Sequence, residues 1–393
     1  MTHPVRLATP VIGGPHWMGG WNYMINMARA ISAHAPDAMN LVIAAGATQR
    51  DHPDLMMLDA LPGIDVIHDP AFDPANKSRR LALAIGTGLD GRALSLFAAH
   101  GVDVVFEPAN FFGWRFPLPT IAWMPDFQHR RLPHLFTRPG WWRREIGFRA
   151  QIASNRTIML SSRDAEEDCQ SFYAASRGRT RVVPFAVTTP DTLSLADAYA
   201  RVDALGLPRH FFFMPNQLWN HKNHAIAIEA ARLLKQQGVD AMIIATGHGD
   251  DPRTPDLRET LMARVADNVL DSHFRFTGAL RYADVQALCL TAAAIINPSR
   301  FEGWSTAVEE AKAIGTPLLL SDLRVHREQA AHVAKFFDPD DAATLADHIK
   351  HTPPRDAAAI EAARSIAVES YAVDQRNFAM RLASLVSAVA GGR

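Results

Sequence analysis

The sequence predicts an α/β protein made of two doubly wound domains. Its 393 residues are more than one hydrophobic core usually serves and fit two domains of ordinary size. Short β-like apolar runs alternate with longer runs of helical periodicity, which is typical of a mostly parallel sheet covered on both faces. This alternation lapses in a polar, proline-bounded stretch near residues 188–208 and then restarts, so the domain boundary is expected there.

The apolar runs predict the individual elements. In the first half, strands are expected at 5–12, 40–45, 64–68, 102–106, 120–124 and 157–161, and helices at 20–34, 78–99 and 163–174. In the second half, strands are expected at 210–214, 241–246, 293–297, 316–320 and 334–337, with an amphipathic helix at 223–237. We therefore expect an N-terminal domain over 1–190, a linker over 191–208, a C-terminal domain over 209–371 and a final amphipathic helix over 372–393.

The composition narrows the class of protein. Hydrophobic residues make up 48% of the chain and charged residues 21%, and the formal net charge is -1. This charge argues against nucleic acid as a partner. Cys169 and Cys289 lack metal-type spacing and are interpreted as reduced core thiols. Neither a signal region nor an apolar run of spanning length is evident, so we expect a soluble cytoplasmic protein.

Residues 297–311 carry the most informative pattern. A strand is expected to end near its start, a glycine-containing loop follows, and a helix begins near Ser305 or Thr306. Backbone N–H groups at such a helix start form an anion site that suits a diphosphate. Glu302 lies in the loop and Glu310 lies within the helix. The alternative interpretation is that these glutamates are ordinary acids near a helix N-terminus.

The motif resembles glycosyltransferase family 4, a group of retaining enzymes with the two-domain GT-B fold. Residues 302–305 (EGWS) and 310–317 (EAKAIGTP) follow its Glu-x7-Glu element, with Trp304 and Ser305 where Phe and Gly are usual. Some bacterial surface-polysaccharide enzymes have the similar FEGWST variant. The resemblance implies that Glu302 touches the donor sugar and Glu310 holds the ribose. It also implies that the backbone of residues 304–306, Trp304 to Thr306, binds the diphosphate. Because neighbouring helical residues differ by about 100° in direction, Glu309 and Glu310 cannot face one ligand together.

A second element agrees with this resemblance. After the strand at 210–214, family members carry a Gly-Arg-x4-Lys loop that clamps the phosphates. Here Asn216 and Gln217 begin the loop, Gln217 stands at the arginine position, and Lys222 matches the lysine. A glutamine can still donate a hydrogen bond to a phosphate oxygen. Lys222 alone would be interpreted as a solvated surface lysine.

Two weaker segments complete the ordered set. A strand runs into a Gly-x-Gly turn at Gly247, and Thr277 and Gly278 resemble the family segment beside the nucleobase. Together the matching segments extend over residues 211–328.

The N-terminal half offers fewer candidates. Gly19 and Gly20 are expected in a glycine-rich loop after the first strand, where family members face the diphosphate and the acceptor; a plain turn is the alternative. Asp126 follows a strand, as in the family's His-Asp motif, with Pro125 in place of the histidine. We expect Asp126 or His129 to take a polar role, although His129 alone would suit a surface position.

Three other patterns are a glycine motif, an acidic motif and an arginine-rich segment. Residues 86–91 match GxGxxG but follow a helical run, so we expect a helix break. Residues 338–340 (DPD) are interpreted as a turn, and the resemblance implies no metal ion and no cofactor. Arginines crowd residues 130–149 together with Trp141 and Trp142. This segment could contact a membrane surface or a phosphate-bearing acceptor, or be a solvated face with a buried aromatic.

These observations predict a hexosyltransferase. It would move a sugar from a nucleotide-diphosphate sugar to a saccharide or lipid-linked saccharide, and the resemblance implies retention of configuration. Lys222, Gln217 and the helix N-terminus would take up charge on the leaving diphosphate. Two alternatives stay open: a sugar-nucleotide epimerase of the same fold, for which no set of catalytic acids can be assigned, and a non-catalytic nucleotide-sugar-binding protein.

Overall fold

The computed structural model describes residues 3–14, 17–188, 193–247, 251 and 253–392. The chain forms two compact units. The first unit comprises Met1–Arg130, Arg138–Thr188 and Val373–Arg393, and the second comprises Arg131–Thr137 and Thr189–Ala372. Each unit contains one parallel sheet with helices, which is the α/β organisation expected from the sequence.

The first unit has a seven-stranded sheet in the order β3-β2-β1-β4-β5-β6-β7, and every strand pair is parallel. Its strands are β1 (Val5–Pro10), β2 (Met39–Ala45), β3 (Ile64–His68), β4 (Val104–Pro108), β5 (Thr120–Trp123), β6 (Thr157–Leu160) and β7 (Thr180–Val182). Its helices are α1 (Met18–His34), α2 (Pro53–Asp59), α3 (Lys77–Thr87), α4 (Gly91–Ala99), α5 (Gln128–Arg131), α6 (Arg138–Ala153) and α7 (Arg163–Phe172).

All six strands predicted in this half are present, with ends that differ by a few residues. The short strand β7 was not predicted, because its three residues include an exposed arginine and give little apolar signal. The single helix predicted over 78–99 is wrong: two helices, α3 and α4, occupy this stretch. Gly88 ends α3 in the left-handed conformation, with φ of 77°, so the interpretation of 86–91 as a helix break is confirmed.

The second unit has a six-stranded parallel sheet in the order β10-β9-β8-β11-β12-β13. Its strands are β8 (Phe211–Met214), β9 (Met242–Ala245), β10 (Phe274–Phe276), β11 (Ala294–Asn297), β12 (Leu318–Ser321) and β13 (Ala334–Phe337). Its helices are α8 (Leu195–Ala204), α9 (His224–Gln236), α10 (Leu257–Asp267), α11 (Tyr282–Thr291), α12 (Thr306–Ala313), α13 (Arg324–Ala330) and α14 (Ala342–Lys350).

Alternate residues of β8 show why this sheet is covered on both faces. Phe212 and Met214 lie in one buried cluster, and Phe211 and Phe213 lie in another. Successive strand side chains point to opposite faces, so a strand that is buried on both sides has a continuous apolar sequence. The FFFM run at this position has that pattern.

The predicted linker and the final helix differ from expectation. The stretch predicted as a linker, 191–208, contains helix α8, whose Leu195, Ala198 and Val202 are buried in a core of the second unit. Their i, i+3, i+7 spacing marks a helical face that the surrounding polar residues obscured. The final helix, α15 (Ala357–Gly391), begins well before the predicted 372. Its residues up to Ala372 belong to the second unit, and those from Val373 belong to the first.

Across the described ranges, no single helix is long and apolar enough to cross a membrane. Only when taken together are the two parts of one bent pair, Pro74–Thr87 and Gly91–Ala99, long and apolar enough by length and composition.

Candidate functional site

The sheet order of the second unit places two strand ends together. Chain order runs outward from β8 through β9 to β10 on one side, and from β11 through β12 to β13 on the other. β8 and β11 are therefore the strands at which the order reverses, and ligands of doubly wound sheets bind outside the carboxyl ends at such a point. The residues that follow these two strands form the candidate site.

Two buried asparagines join these strand ends. Asn216 Nδ2 donates a hydrogen bond of 3.0 Å to Asn297 Oδ1. Asn297 Nδ2 in turn donates to the Ser305 hydroxyl at 2.8 Å. A buried amide pair with these partners ties the loop after β8 to the loop after β11.

The loop that carries Lys222 is held by Asn223. Asn223 adopts a left-handed conformation, with φ of 57°, which asparagine tolerates better than most residues. Its Nδ2 donates to the carbonyl oxygens of Pro298 at 3.1 Å and Pro339 at 2.8 Å. The His221 carbonyl accepts a bond of 2.8 Å from the Arg300 backbone N–H. The Lys222 loop is therefore fastened to the loop that contains Glu302.

Lys222 and Glu302 form an ion pair at the centre of the site. Lys222 Nζ lies 2.6 Å from Glu302 Oε1, and their side chains are only 17% and 8% exposed. The Ser299 hydroxyl is 2.6 Å from the same carboxylate oxygen. Burial favours a raised pKa for Glu302, but the charge of Lys222 outweighs this effect and lowers that pKa to about 2. The carboxylate is therefore ionised at neutral pH.

Helix α12 begins beside this pair, as the sequence predicted. Ser305 precedes the helix in an extended conformation, and its side chain makes no capping hydrogen bond. Its hydroxyl accepts from Asn297, and its backbone N–H donates to Gln329 Oε1 at 3.1 Å. Trp304, partly buried, lies just before it, and Thr306 is the first helical residue. Because Ser305 does not cap the helix, its side chain satisfies none of the first-turn N–H groups.

The adjacent glutamates of α12 have different environments. Glu309 is buried and accepts hydrogen bonds from Lys312, Gln329 and Tyr371, so it is committed to the core. Glu310 is partly buried and pairs with the Tyr282 hydroxyl, and desolvation raises its pKa to about 7. The prediction that the two carboxylates face different surroundings is confirmed.

The turns after β9 and β10 adjoin the start of the Lys222 loop. The Gly247 N–H donates to the Gly278 carbonyl at 3.0 Å, and the hydroxyls of Thr246 and Thr277 contact the same oxygen at 2.5 and 3.3 Å. Gly247 has φ of 140°, and a Cβ atom there would lie 2.7 Å from the Asn216 carbonyl oxygen. Only glycine fits this approach. Residues 248 and 249 of the predicted Gly-x-Gly turn lie outside the described residues.

The predicted residues of the second half therefore converge on one edge of one sheet. They are Asn216, Gln217, Lys222, Gly247, Thr277, Gly278, Glu302, Trp304, Ser305, Thr306 and Glu310. Sequence reasoning missed Asn223, Ser299 and His326, which hold this edge together. Asn223 and Ser299 each lie next to a recognised motif residue or strand end, which was the available signal. His326 had no signal of its own.

The predicted residues of the first half lie in the first unit. Gly19 and Gly20 are not in a loop, because helix α1 begins at Met18. A Cβ at Gly20 would lie 2.8 Å from the Trp17 ring, so this glycine allows close packing of the ring. The loop itself contains Gly13 and Gly14, both with positive φ, and residues 15 and 16 lie outside the described ranges.

Asp126 and His129 are both engaged within the first unit. Asp126 Oδ1 accepts from the Gln128 backbone N–H at 2.8 Å and from Arg144 at 2.5 Å. His129 is fully buried, with Nε2 3.2 Å from Glu145 Oε2, so the alternative interpretation of a surface position is wrong. Its ring packs beside Trp141 and Phe148, an interior environment that the surrounding arginines did not suggest.

Helix α6, which overlaps the basic segment 130–149, has two distinct faces. Trp141 points inward and donates from Nε1 to the His129 carbonyl at 2.7 Å. Trp142 and Ile146 are 55% and 57% exposed. The acidic residue of this helix, Glu145, is buried, whereas Arg143 and Arg149 are exposed. The exposed face is therefore apolar and basic.

Among the described residues, no three His, Cys, Asp or Glu side chains form a group that could hold a metal ion. The 338–340 segment is a turn, as predicted: Asp338 accepts from the Asp340 backbone N–H, and Asp340 pairs with Arg300.

Comparison with known proteins agrees with this geometry. Residues 200–364 match the model of the family described as glycosyl transferases group 1. That range contains every candidate residue of the second unit. No curated protein sequence matches the chain.

Solved structures show the fold. HepE of Anabaena, in complex with UDP and glucose, has a TM-score of 0.67 and 14% identity, covering 98% of this chain and 100% of that one. A glycosyltransferase of Rickettsia africae has a TM-score of 0.66 and 13% identity, covering both chains fully, at 100%. A UDP-forming α,α-trehalose-phosphate synthase of Burkholderia vietnamiensis has a TM-score of 0.64 and 12% identity, covering 99% and 98%. The chain thus has the GT-B fold, and together with the family match this supports a GT-B glycosyltransferase.

Proposed function

We propose that this protein transfers a hexose-type sugar from a nucleotide-diphosphate sugar to a saccharide or lipid-linked saccharide, with retention of configuration. The observation that carries the proposal is the Lys222–Glu302 ion pair at the point where the strand order reverses. A buried lysine and carboxylate beside an uncapped helix start suit a ligand that combines an anionic diphosphate with a polar sugar.

Each group of the site has a role in this proposal. Lys222, Gln217 and the first-turn N–H groups of α12 take up negative charge on the leaving diphosphate. Glu302, ionised because its pKa is about 2, accepts hydrogen bonds from hydroxyls of the transferred sugar. Glu310 holds the ribose hydroxyls, with Trp304 to Thr306 along the diphosphate. Gly247, Thr277 and Gly278 lie beside the nucleobase.

The proposed chemistry follows the resemblance to family 4. The acceptor attacks the face from which the diphosphate leaves, and the diphosphate assists removal of the acceptor proton. No side-chain nucleophile, metal ion or other cofactor takes part. Gly19, Gly20 and Asp126 are proposed on the acceptor side, with Asp126 oriented by Arg144.

A lipid-linked acceptor would place the protein at the cytoplasmic face of a membrane. The basic and apolar face of α6, within residues 130–149, supports such a peripheral contact, because exposed tryptophan and arginine suit an anionic lipid surface. The acceptor is proposed to be presented at that surface.

The experiment that tests the donor site is a thermal-shift panel with UDP, GDP, ADP, CMP and dTDP and their sugar conjugates. UDP-glucose is the first donor to test, since HepE binds UDP and glucose. A ligand at 100 times its dissociation constant adds about 2.7 kcal/mol to the free energy of unfolding. We expect one nucleotide to raise the melting temperature selectively. No shift with any of them would argue against the proposed site.

Variants then test the assigned residues. We expect Lys222→Ala and Glu310→Ala each to lower transfer by at least about 100-fold while leaving the circular dichroism spectrum unchanged, since each removes a charge that faces the donor. Near-wild-type rates in either variant would refute its assignment. Analysis of the products separates the alternatives: an epimer of the donor sugar would indicate an epimerase, and binding without turnover would indicate a binding protein.

A further inference from the structure

His326 is a buried histidine that none of the assigned roles uses. It lies in α13, just after β12, and its side chain is inaccessible to solvent. Its Nδ1 is 2.8 Å from the Ser321 carbonyl oxygen. A carbonyl only accepts hydrogen bonds, so Nδ1 must carry the proton. Desolvation lowers the pKa of His326, and the ring is therefore neutral.

A chain of three hydrogen bonds leads from this ring to Glu302. His326 Nδ1 donates to the Ser321 carbonyl, and the Ser321 hydroxyl donates to the Ser299 carbonyl at 2.5 Å. The Ser299 hydroxyl lies 2.6 Å from Glu302 Oε1. Each of the first two bonds holds the backbone of a serine, and the side chain of that serine makes the next bond.

The last link has one competing acceptor. The Ser299 hydroxyl is also 2.7 Å from Asn297 Oδ1, and a hydroxyl has only one proton to donate. The Glu302 carboxylate is ionised and is the stronger acceptor, since hydrogen bonds to charged groups are about twice as strong as neutral ones. The proton is therefore assigned to Glu302.

The other ring nitrogen shows that His326 is not simply a packing residue. Within the described ranges, the buried Nε2 has no hydrogen-bond partner. A buried acceptor without a donor is unfavourable, so an apolar side chain of similar size would suit the core better. A histidine at this position is explained if its Nδ1 donor, which an apolar side chain lacks, is needed to hold the Ser321 carbonyl.

We propose that His326 is a positioning residue: through Ser321 and Ser299 it holds the Glu302 carboxylate in place for the transferred sugar. This inference rests on the proposed function, because it requires that Glu302 contacts the transferred sugar. The relay should affect only the contact with the transferred sugar, because Glu302 is assigned to the sugar and not to the nucleotide. Loss of the relay should therefore slow turnover and leave the affinity for the nucleotide unchanged.

The test compares four variants with the wild type, using UDP and UDP-glucose or the corresponding pair that the thermal-shift panel selects. The rate is measured as release of the nucleotide, and its dissociation constant by calorimetry. His326→Leu and Ser299→Ala should each lower kcat by about 10-fold or more, and change the Kd of the free nucleotide by less than about 2-fold. Ser299→Ala leaves the core volume almost unchanged and so guards against misfolding.

Two further variants serve as rescue and control. The amide nitrogen of His326→Asn lies the same number of bonds from Cα as Nδ1, so this variant should recover most of the lost kcat. His348 also binds a backbone carbonyl in this unit, with Nε2 3.0 Å from the Phe336 oxygen, and His348→Leu should leave kcat unchanged.

Three results would overturn the inference. They are an unchanged kcat in His326→Leu or Ser299→Ala, a failure of His326→Asn to recover activity, and a loss of nucleotide affinity as large as the loss of kcat. If the wild type neither binds nor turns over any sugar nucleotide, the proposed function itself fails, which is a different outcome.

Discussion

Residues at the candidate site differ in how much of their hydrogen-bonding capacity the fold uses. Glu309 accepts from three side chains and is part of the core, whereas its neighbour Glu310 has the exposed Tyr282 as its side-chain partner. Glu302 is held ionised by Lys222. Glu302 in the loop and Glu310 in the helix thus carry different charges near neutral pH, because Glu302 is paired with a cation and Glu310, within the described part of the chain, is not.

The raised pKa of Glu310 predicts a pH dependence of donor binding. Ribose hydroxyls bind an ionised carboxylate better than a protonated one, so affinity should rise as the pH increases through about 7. A sugar nucleotide is the suitable probe, since its diphosphate is doubly esterified and keeps its charge over this range. Calorimetric titrations between about pH 6 and 8 should show the rise, and Glu310→Gln should remove it.

The same shift has a consequence for stability. Because burial raises the pKa of Glu310 from 4.5 to about 7, the folded state retains a proton that the unfolded state has released. The Glu310 contribution to the free energy of unfolding therefore falls as the pH rises between these values, and Glu310→Gln should lessen this fall. In the calorimetric titrations, a wild-type affinity for the sugar nucleotide that does not change with pH would contradict the assignment of Glu310 to the ribose.

Elements of the second unit owe their arrangement to a few backbone contacts at the strand ends. Gly247 after β9 approaches the backbone of Asn216 and Gln217 after β8 so closely that no side chain fits. Asn223 similarly fastens the turn before α9 to the loop after β11. These contacts fix the spacing between the loops that follow β8, β9 and β11.

Substitution of Gly247 tests this close approach against a matched control. Gly206 also has positive φ, 63°, but a Cβ there meets no atom. Gly206→Ala should cost about 1 kcal/mol, the conformational penalty alone. Gly247→Ala adds overlap with the Asn216 carbonyl and should cost at least about 2 kcal/mol in urea unfolding. It should also weaken nucleotide binding. Equal costs for the two variants would show that the contact is not tight.

At the scale of the whole molecule the net charge is near neutral, yet helix α6 has a basic and apolar surface. Its exposed Trp142, Arg143, Ile146 and Arg149 lie at helical spacings of three and four, while Glu145 turns inward. A surface of this kind favours anionic lipid, since the tryptophan and isoleucine can enter the headgroup region while the arginines bind phosphate.

Vesicle sedimentation tests this peripheral contact. The wild type should bind vesicles that contain phosphatidylglycerol more tightly than vesicles of phosphatidylcholine alone. The double variant Trp142→Ser/Ile146→Ser should bind about 10-fold more weakly, because two apolar anchors are lost. Ile366, 70% exposed on α15 in the second unit, gives the control Ile366→Ser, which should bind as the wild type does. Equal losses in both variants, or no preference for anionic lipid, would refute the assignment to α6.

The sequence by itself determined the two-sheet α/β fold and the order of the second-half site residues. Strands buried on both faces, such as β8, have continuous apolar runs, and a loop between a strand and a helix start shows itself by its glycines and caps. The short edge strand β7 gave a weak signal because it has only three residues. Helix α8 was missed because four of its ten residues are alanines, which mark an apolar face weakly. The break at Gly88 was visible, yet the length of the apolar run favoured a single helix.

Only the tertiary structure decided which side chains serve the site and which serve the core. Glu309 and Glu310 are the same residue type in sequence, and their difference arises from packing against Tyr371 and Gln329, distant along the chain. His129 became interior, and His326 became linked to Glu302, through hydrogen bonds that no local pattern encodes. Such pairings depend on which strands and helices become neighbours, and that is settled by long-range packing.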